Sequence, residues 1–148
     1  MLEKYIIKFI NENDINYAKK LIEKNFKDNY KLYNYYMGLC CCCEKKYFSA
    51  IYHFKEAIKN GLINAVIYYN LGTAYLETDN YKLAVECFLN CIELDSKFIN
   101  SYINLAYIYY INKDFKTAYR IIKLCLSYSE DVKIKDIEKK LLSLICYS

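Results

Sequence analysis

Residues 65–98 read AVIYYNLGTAYLETDNYKLAVECFLNCIELDSKF, and their register decides the fold. Within this stretch Ala84 stands 34 residues from Ala50 on one side and 34 from Ala118 on the other. Four residues after each alanine comes a large apolar side chain, namely Phe54, Phe88 and Ile122, and three residues before each lies an aromatic, namely Tyr47, Tyr81 and Phe115. Upstream, Gly38, Gly72 and Ala106 keep the same interval, and small residues recur at Ala57, Cys91 and Cys125. Tiny and bulky side chains recurring at a period of this length describe a helical hairpin that stacks on copies of itself. Two antiparallel helices approach to about 8 Å only where small residues face one another. Gly72 and Ala84 therefore mark the contact within the hairpin, and Leu71, Tyr75 and Phe88 fill the space around it.

This pattern resembles the tetratricopeptide repeat family. In residues 65–98, Tyr68, Leu71, Gly72 and Tyr75 match the aromatic, leucine, glycine and tyrosine of the family's first helix, and Ala84 and Phe88 match the alanine and aromatic of its second. Neighbouring copies fall at 31–64 and 99–132. A degenerate copy precedes them at 1–30, with Tyr5, Ile6 and Phe9 in first-helix positions and Ala18 and Ile22 in second-helix positions. The chain departs from the family in Ser96, where proline often closes the repeat, and in having no tryptophan. The resemblance implies a single all-α domain over 1–148, a right-handed solenoid of about four stacked antiparallel helix pairs. First helices are expected near 2–12, 31–44, 65–78 and 99–112, and second helices near 15–26, 47–60, 81–94 and 115–128. Asp and Asn in turns such as 78–80 and 112–114 are suited to cap the following helix. Gly61 is suited to end its helix in a left-handed turn. Ile134, Ile137, Leu141, Leu144 and Ile145 recur at helical spacing in 133–148, which reads as a closing helix over the last repeat and leaves the amino end bare.

Composition agrees with a packed helical domain. Of 148 residues 55% are hydrophobic, proline is absent and glycine occurs three times, so neither disorder nor a strand-and-turn architecture is expected. The net charge of +4 is spread along the chain without the basic stripe that nucleic acid requires. The first residues, MLEKYIIKFINENDIN, lack the long apolar centre of a secretion signal, and no run is long enough to span a membrane. A cytoplasmic location is the expectation. Eight cysteines would suggest a disulfide scaffold in a secreted chain. Four of them are consecutive, Cys40 to Cys43, and neighbours on a helix diverge by about 100°, so they converge neither on one metal nor on each other. They read as small apolar side chains of a reducing compartment.

The family's first helices line a concave groove that holds an extended peptide or a helix. By register, that groove takes Tyr35, Tyr36, Leu39 and Cys42 from the second repeat, and Tyr69, Asn70, Thr73 and Glu77 from the third. The fourth supplies Asn100, Ile103, Asn104, Tyr107 and Ile111. Tyrosines offer flat contact area at low entropic cost, and each asparagine both donates to and accepts from a peptide backbone. With 19 tyrosines in the chain, some are also simply core. Family members that grip the acidic tails of chaperones use first-helix Lys and Arg together with asparagine. Asn70 matches the central asparagine of that clamp, but Tyr35, Leu39, Asn100 and Asn104 stand where the cations belong, and a carboxylate would find no countercharge.

No catalytic constellation is apparent. His53, the single histidine, lies beside Phe54 on a second helix, and Cys87 and Cys91 lack a second ligand pair for zinc. Phosphate-binding glycine loops are missing, and neither enzyme activity, metal nor cofactor is expected. The leading expectation is a protein-interaction module whose partner is a protein or peptide, with neither nucleic acid nor membrane as ligand. Its competitors are a self-assembling scaffold joined through the amino-terminal repeat as a homo-oligomer, and a binder of single-stranded RNA through aromatics interleaved with lysine. The register itself is testable: Ala84→Leu is expected to cost about 1–3 kcal/mol by overpacking, and an unchanged thermal melt would refute it.

Overall fold

The computed structural model describes residues 2–147; Met1 and Ser148, the outer ends of the expected first repeat and closing helix, lie outside them. The described residues form nine helices: α1 (Leu2–Asn11), α2 (Ile15–Phe26), α3 (Tyr30–Cys43), α4 (Tyr47–Lys59), α5 (Ala65–Leu76), α6 (Tyr81–Leu94), α7 (Ile99–Ile111), α8 (Phe115–Cys125) and α9 (Val132–Cys146). Each packs against its neighbours in sequence, and α1 also meets α3 as α3 meets α5, which is the contact pattern of stacked hairpins. Among the described residues no helix is long and apolar enough to cross a membrane.

The hairpins close on aromatic rings. A Cβ built on Gly38 would lie 2.5 Å from Phe54 Cε1, and one on Gly72 would lie 2.8 Å from Phe88 Cε1. Both rings are fully buried, so neither has room to swing aside. Glycine is needed because the ring of the second helix lies flush on the backbone of the first. Ala50, Ala84 and Ala118, completely buried, hold the small-residue positions on the second helices. Around these contacts the core divides into three clusters. One joins α1, α2 and α3 through Ile6, Ala18, Ile22 and Tyr36. A second runs from Cys41 through Phe54, Leu71 and Phe88 to Ile108. The third joins α7, α8 and α9 through Tyr102, Ala118, Ile122, Ile134 and Leu141.

The turn inside each hairpin is built alike. Asn13, Lys45, Asp79 and Lys113 adopt left-handed backbone, with φ between 57° and 63°. In each the next amide returns to the helix it has just left: Asp14 N to Phe9 O, Lys46 N to Cys41 O, Asn80 N to Tyr75 O and Asp114 N to Tyr109 O, at 2.8–2.9 Å. These bonds satisfy carbonyls that the helix end would otherwise leave open. Capping by turn side chains is only partly as expected. Asp14 and Asp114 accept from Tyr17 N and Thr117 N, but Asn80 makes no side-chain cap. Asp79 instead accepts from the Tyr81 hydroxyl at 2.7 Å. Gly61, at φ 89°, ends α4 in the left-handed turn expected of it.

Lysine in a left-handed conformation carries a steric cost that glycine lacks. Lys113→Gly is therefore expected to raise stability by up to about 1 kcal/mol, read as an upward shift in denaturant midpoint at unchanged slope; a downward shift would contradict the turn geometry.

Candidate functional site

The candidate surface is carried by α3, α5 and α7. Neither α5, AVIYYNLGTAYL, nor α7, INSYINLAYIYYI, contains a charged residue. Buried faces account for part of this, since Ile67, Leu71, Ala74 and Tyr75 of α5 and Tyr102, Leu105, Ala106 and Ile108 of α7 are core. The remaining faces are tyrosine, asparagine, threonine and aliphatic side chains. Such a surface desolvates cheaply and still offers hydrogen bonds to a backbone.

The residues expected in the groove fall into distinct environments. Tyr35 is half-buried, its ring 6.4 Å from that of Phe54 and 5.1 Å from that of Tyr36. Burial raises its hydroxyl pKa, and a hydrogen bond with the side chain of Asn70 offsets part of that rise, linking α3 to α5. Tyr69 is also half-buried, between the rings of Phe88 and Phe98 at 6.2 and 5.0 Å. The Thr73 hydroxyl donates to Tyr69 O within its own helix, 2.9 Å away. Exposed Glu77 accepts from the Tyr47 hydroxyl, whose pKa is raised by burial and by that carboxylate. Leu39, Cys42, Ile103, Asn104 and Ile111 are half-buried, while Asn100 and Tyr107 are exposed.

Tyr36 belongs elsewhere. It shares register with Asn70 and Asn104, but it is 4% exposed and sits in the amino-terminal core, its ring 5.4 Å from that of Phe26. The reason is α1, which packs over α3 and brings Glu3 into hydrogen bond with the Tyr36 hydroxyl.

Two clefts meet at Tyr107. One, of about 230 Å³, is lined by Leu76, Glu77, Asp79, Tyr81 and Tyr107. The other, of about 480 Å³ and largely apolar, lies between α7 and α9 above Ala106 and Ile122. It gathers Ile103 and Tyr107 with residues the register did not include, among them Tyr110, Ile137, Lys140 and Leu144. Those on α9, Ile137, Lys140 and Leu144, escaped a reading in which α9 only closes the array, because the 34-residue period does not extend into α9.

The nucleophile and metal candidates resolve into structural roles. Burial pushes the Cys40, Cys42 and Cys87 thiols up to about 12 and raises Cys41, Cys91 and Cys125, which disfavours thiolate at all six. Cys43 and Cys146 are exposed free thiols. His53 pairs with Asn34, not with a cysteine, at 2.8 Å from Nδ1 to Oδ1. Asn34 Nδ2 donates to Tyr30 O, so its Oδ1 is the acceptor and His53 Nδ1 carries the proton. A polar hollow of about 700 Å³, lined by side chains including Glu23, Lys27, Tyr52 and Glu56, surrounds this pair. Among the described residues no group of three or more His, Cys, Asp or Glu is placed to hold a metal ion.

Hairpins stacked with a shared register, ring against glycine, define the helical-repeat class. Tetratricopeptide repeat models match residues 65–98 and 99–132, and the chain is a member of the tetratricopeptide repeat family. No curated protein matches it by sequence. Solved structures share its fold. YrrB, a repeat protein with an unusual peptide-binding site, superposes at TM-score 0.73 and 17% identity, over 85% of this chain and 66% of its own. Cut9, from the Cut9–Hcn1 hetero-tetramer, does so at 0.82 and 19%, over 95% of this chain and 29% of its own. The first repeat domain of Spaghetti, bound to the HSP90 peptide SRMEEVD, gives 0.69 and 14%, over 80% of this chain and 97% of its own. The chain thus spans about two thirds of YrrB and under a third of Cut9.

Burial, with the Lys19 charge adding to it, holds the His53 pKa below its ordinary 6.5. The unfolded chain therefore takes up this proton at higher pH than the folded one, and stability falls as pH drops below about 6.5. His53→Gln is expected to flatten the melting temperature between pH 7 and 5; an identical slope in the variant would refute the assignment. Glu44, held below 4.5 by hydrogen bonds from Lys19 and Lys46, adds a separate loss at more acid pH.

Proposed function

We propose that this chain is a non-catalytic interaction module that holds an uncharged or apolar segment of a partner protein, as extended peptide or helix, along the face of α3, α5 and α7. The observation that carries the reading is the absence of charge from α5 and α7, alongside half-buried tyrosine and asparagine. Spaghetti binds an HSP90 peptide with three acidic residues, and YrrB has a peptide-binding site of its own. The acid-rich ligand is the wrong chemistry here, because a carboxylate against α5 or α7 would lose hydration without gaining a cation. We place the whole of 1–148 in one domain that works as a cytoplasmic scaffold binding neither nucleic acid nor membrane. Asn70 and Asn104 are its hydrogen-bonding anchors, and Tyr35, Leu39, Tyr69, Ile103, Tyr107 and Ile111 its apolar contacts. Thr73, Glu77 and Asn100 form the polar edge.

A second reading, self-association through the amino-terminal repeat, draws on the exposed rings of Tyr5, Tyr17 and Tyr30. Light scattering over a concentration series separates the two, since only self-association makes the mass rise with concentration.

The groove is tested by affinity capture from the native cell with the wild type and an Asn70→Ala/Asn104→Ala double variant. Partners retained by the wild type and lost by the variant are the expected result. An identical set of captured proteins, with the variant folded, would defeat the reading.

A further inference from the structure

The cleft between α7 and α9 lies where the last hairpin departs from the preceding one. In the third repeat three rings pack together: Tyr69 lies against Phe88 at 6.2 Å and against Phe98 at 5.0 Å. One period later all three positions are aliphatic, as Ile103, Ile122 and Val132. Gly72, on which Phe88 rests, is replaced by Ala106. Tyr35 and Phe54 make the corresponding ring contact one period earlier, at 6.4 Å. The second and third hairpins carry this internal aromatic; the first has Ile22 in its place and the fourth Ile122, and it is in the fourth that a cleft opens above the position. Nothing from α9 takes its place: Val132 is 69% exposed, and α9 packs on α8 through Ile134 and Leu141. The result is the apolar cleft of about 480 Å³ floored by Ala106 and Ile122 and walled by Ile103, Ile137 and Leu144. Its volume falls in the range of about 300–1,000 Å³ typical of ligand sites.

Charge then narrows the occupant. Lys140 is the charged residue of the lining, and among the described residues no carboxylate lies within ion-pair distance of it. A cation beside an apolar cleft that has lost its rings matches a ligand with a ring and an adjacent negative charge.

We infer that the α7–α9 cleft is a side-chain pocket for the partner segment, taking one aromatic residue whose neighbour in the peptide is acidic and meets Lys140. The inference rests on the groove reading and amends it at the carboxyl-terminal end, where Lys140 of α9 supplies the cation that α5 and α7 lack. One acidic residue is thus accommodated there and nowhere else along the face; Ile103 and Tyr107 belong to both surfaces. The guest ring occupies the space that Phe54 and Phe88 fill internally in the earlier hairpins.

The test uses the full chain with isotope-labelled isoleucine methyls and asparagine side-chain amides, and three blocked hexapeptides: one with a central Phe–Asp pair, one with Phe–Lys and one with Ala–Asp. The Phe–Asp peptide is expected to shift the methyls of Ile103, Ile122 and Ile137 and to bind about tenfold more tightly than either of the others. Ala106→Gly/Ile122→Phe, which rebuilds the glycine–ring pair, is expected to abolish those shifts. Lys140→Glu is expected to reverse the preference toward Phe–Lys. Silent cleft methyls, equal affinity for Phe–Asp and Phe–Lys, or undiminished binding by the filled variant would each overturn the proposal. Should the filled variant fail to fold, Lys140→Glu, at an exposed position, decides the matter alone. Shifts confined to Asn70 and Asn104 would overturn the cleft and leave the groove standing. Conversely, captured partners indifferent to the asparagine pair, together with intact cleft binding, would remove only the groove.

Discussion

The contact between a buried phenylalanine ring and a glycine backbone sets the geometry of this protein. At Gly38 and Gly72 there is no room for a methyl group between the first helix and the ring of Phe54 or Phe88. That contact fixes how near the helices lie and therefore where the next hairpin stacks. The rings then serve a second purpose, because Tyr35 and Tyr69 rest on them and extend the aromatic packing toward the inner face. Core and candidate surface are thus consecutive layers of one stack, and a change in one alters the other.

The fourth hairpin shows the consequence. With Ala106 and Ile122 in place of glycine and phenylalanine the hairpin still closes, since a shorter side chain leaves room for the added methyl. The layer above is then left thin, and the space appears as a cleft at the surface. A substitution that is conservative for hairpin closure is not conservative for the face that the hairpin presents.

Polar and reactive groups follow the same packing. Most of the cysteines lie in the core, where burial makes the thiolate unfavourable. The Asn34–His53 pair joins α3 to α4 with its hydrogen-bonding order set by the Tyr30 carbonyl. Lys19, Glu44 and Lys46 form an ion-pair cluster that fastens α2 to the turn between α3 and α4. These groups hold successive helices together at the edges of the core, where apolar contact alone does not fix the angle between them.

The 34-residue interval was enough to give the helices, their pairing and their order, because each depends on side-chain size repeated at fixed spacing. The limits of α2 and α6 agree with expectation to the residue. The lack of charge on α5 and α7 was also written in the chain, since charge is a property of residue type alone. Periodicity could not tell which members of a register stay open. Tyr36 aligns with Asn70 and Asn104, yet it is covered, its ring against Phe26 of α2 and its hydroxyl bonded to Glu3 of α1. The cleft over Ile122 likewise depends on where α9 lies, and α9 is outside the repeat's register. Local spacing fixes what faces a hairpin partner, whereas exposure depends on every element packed around it; that second property belongs to the tertiary structure.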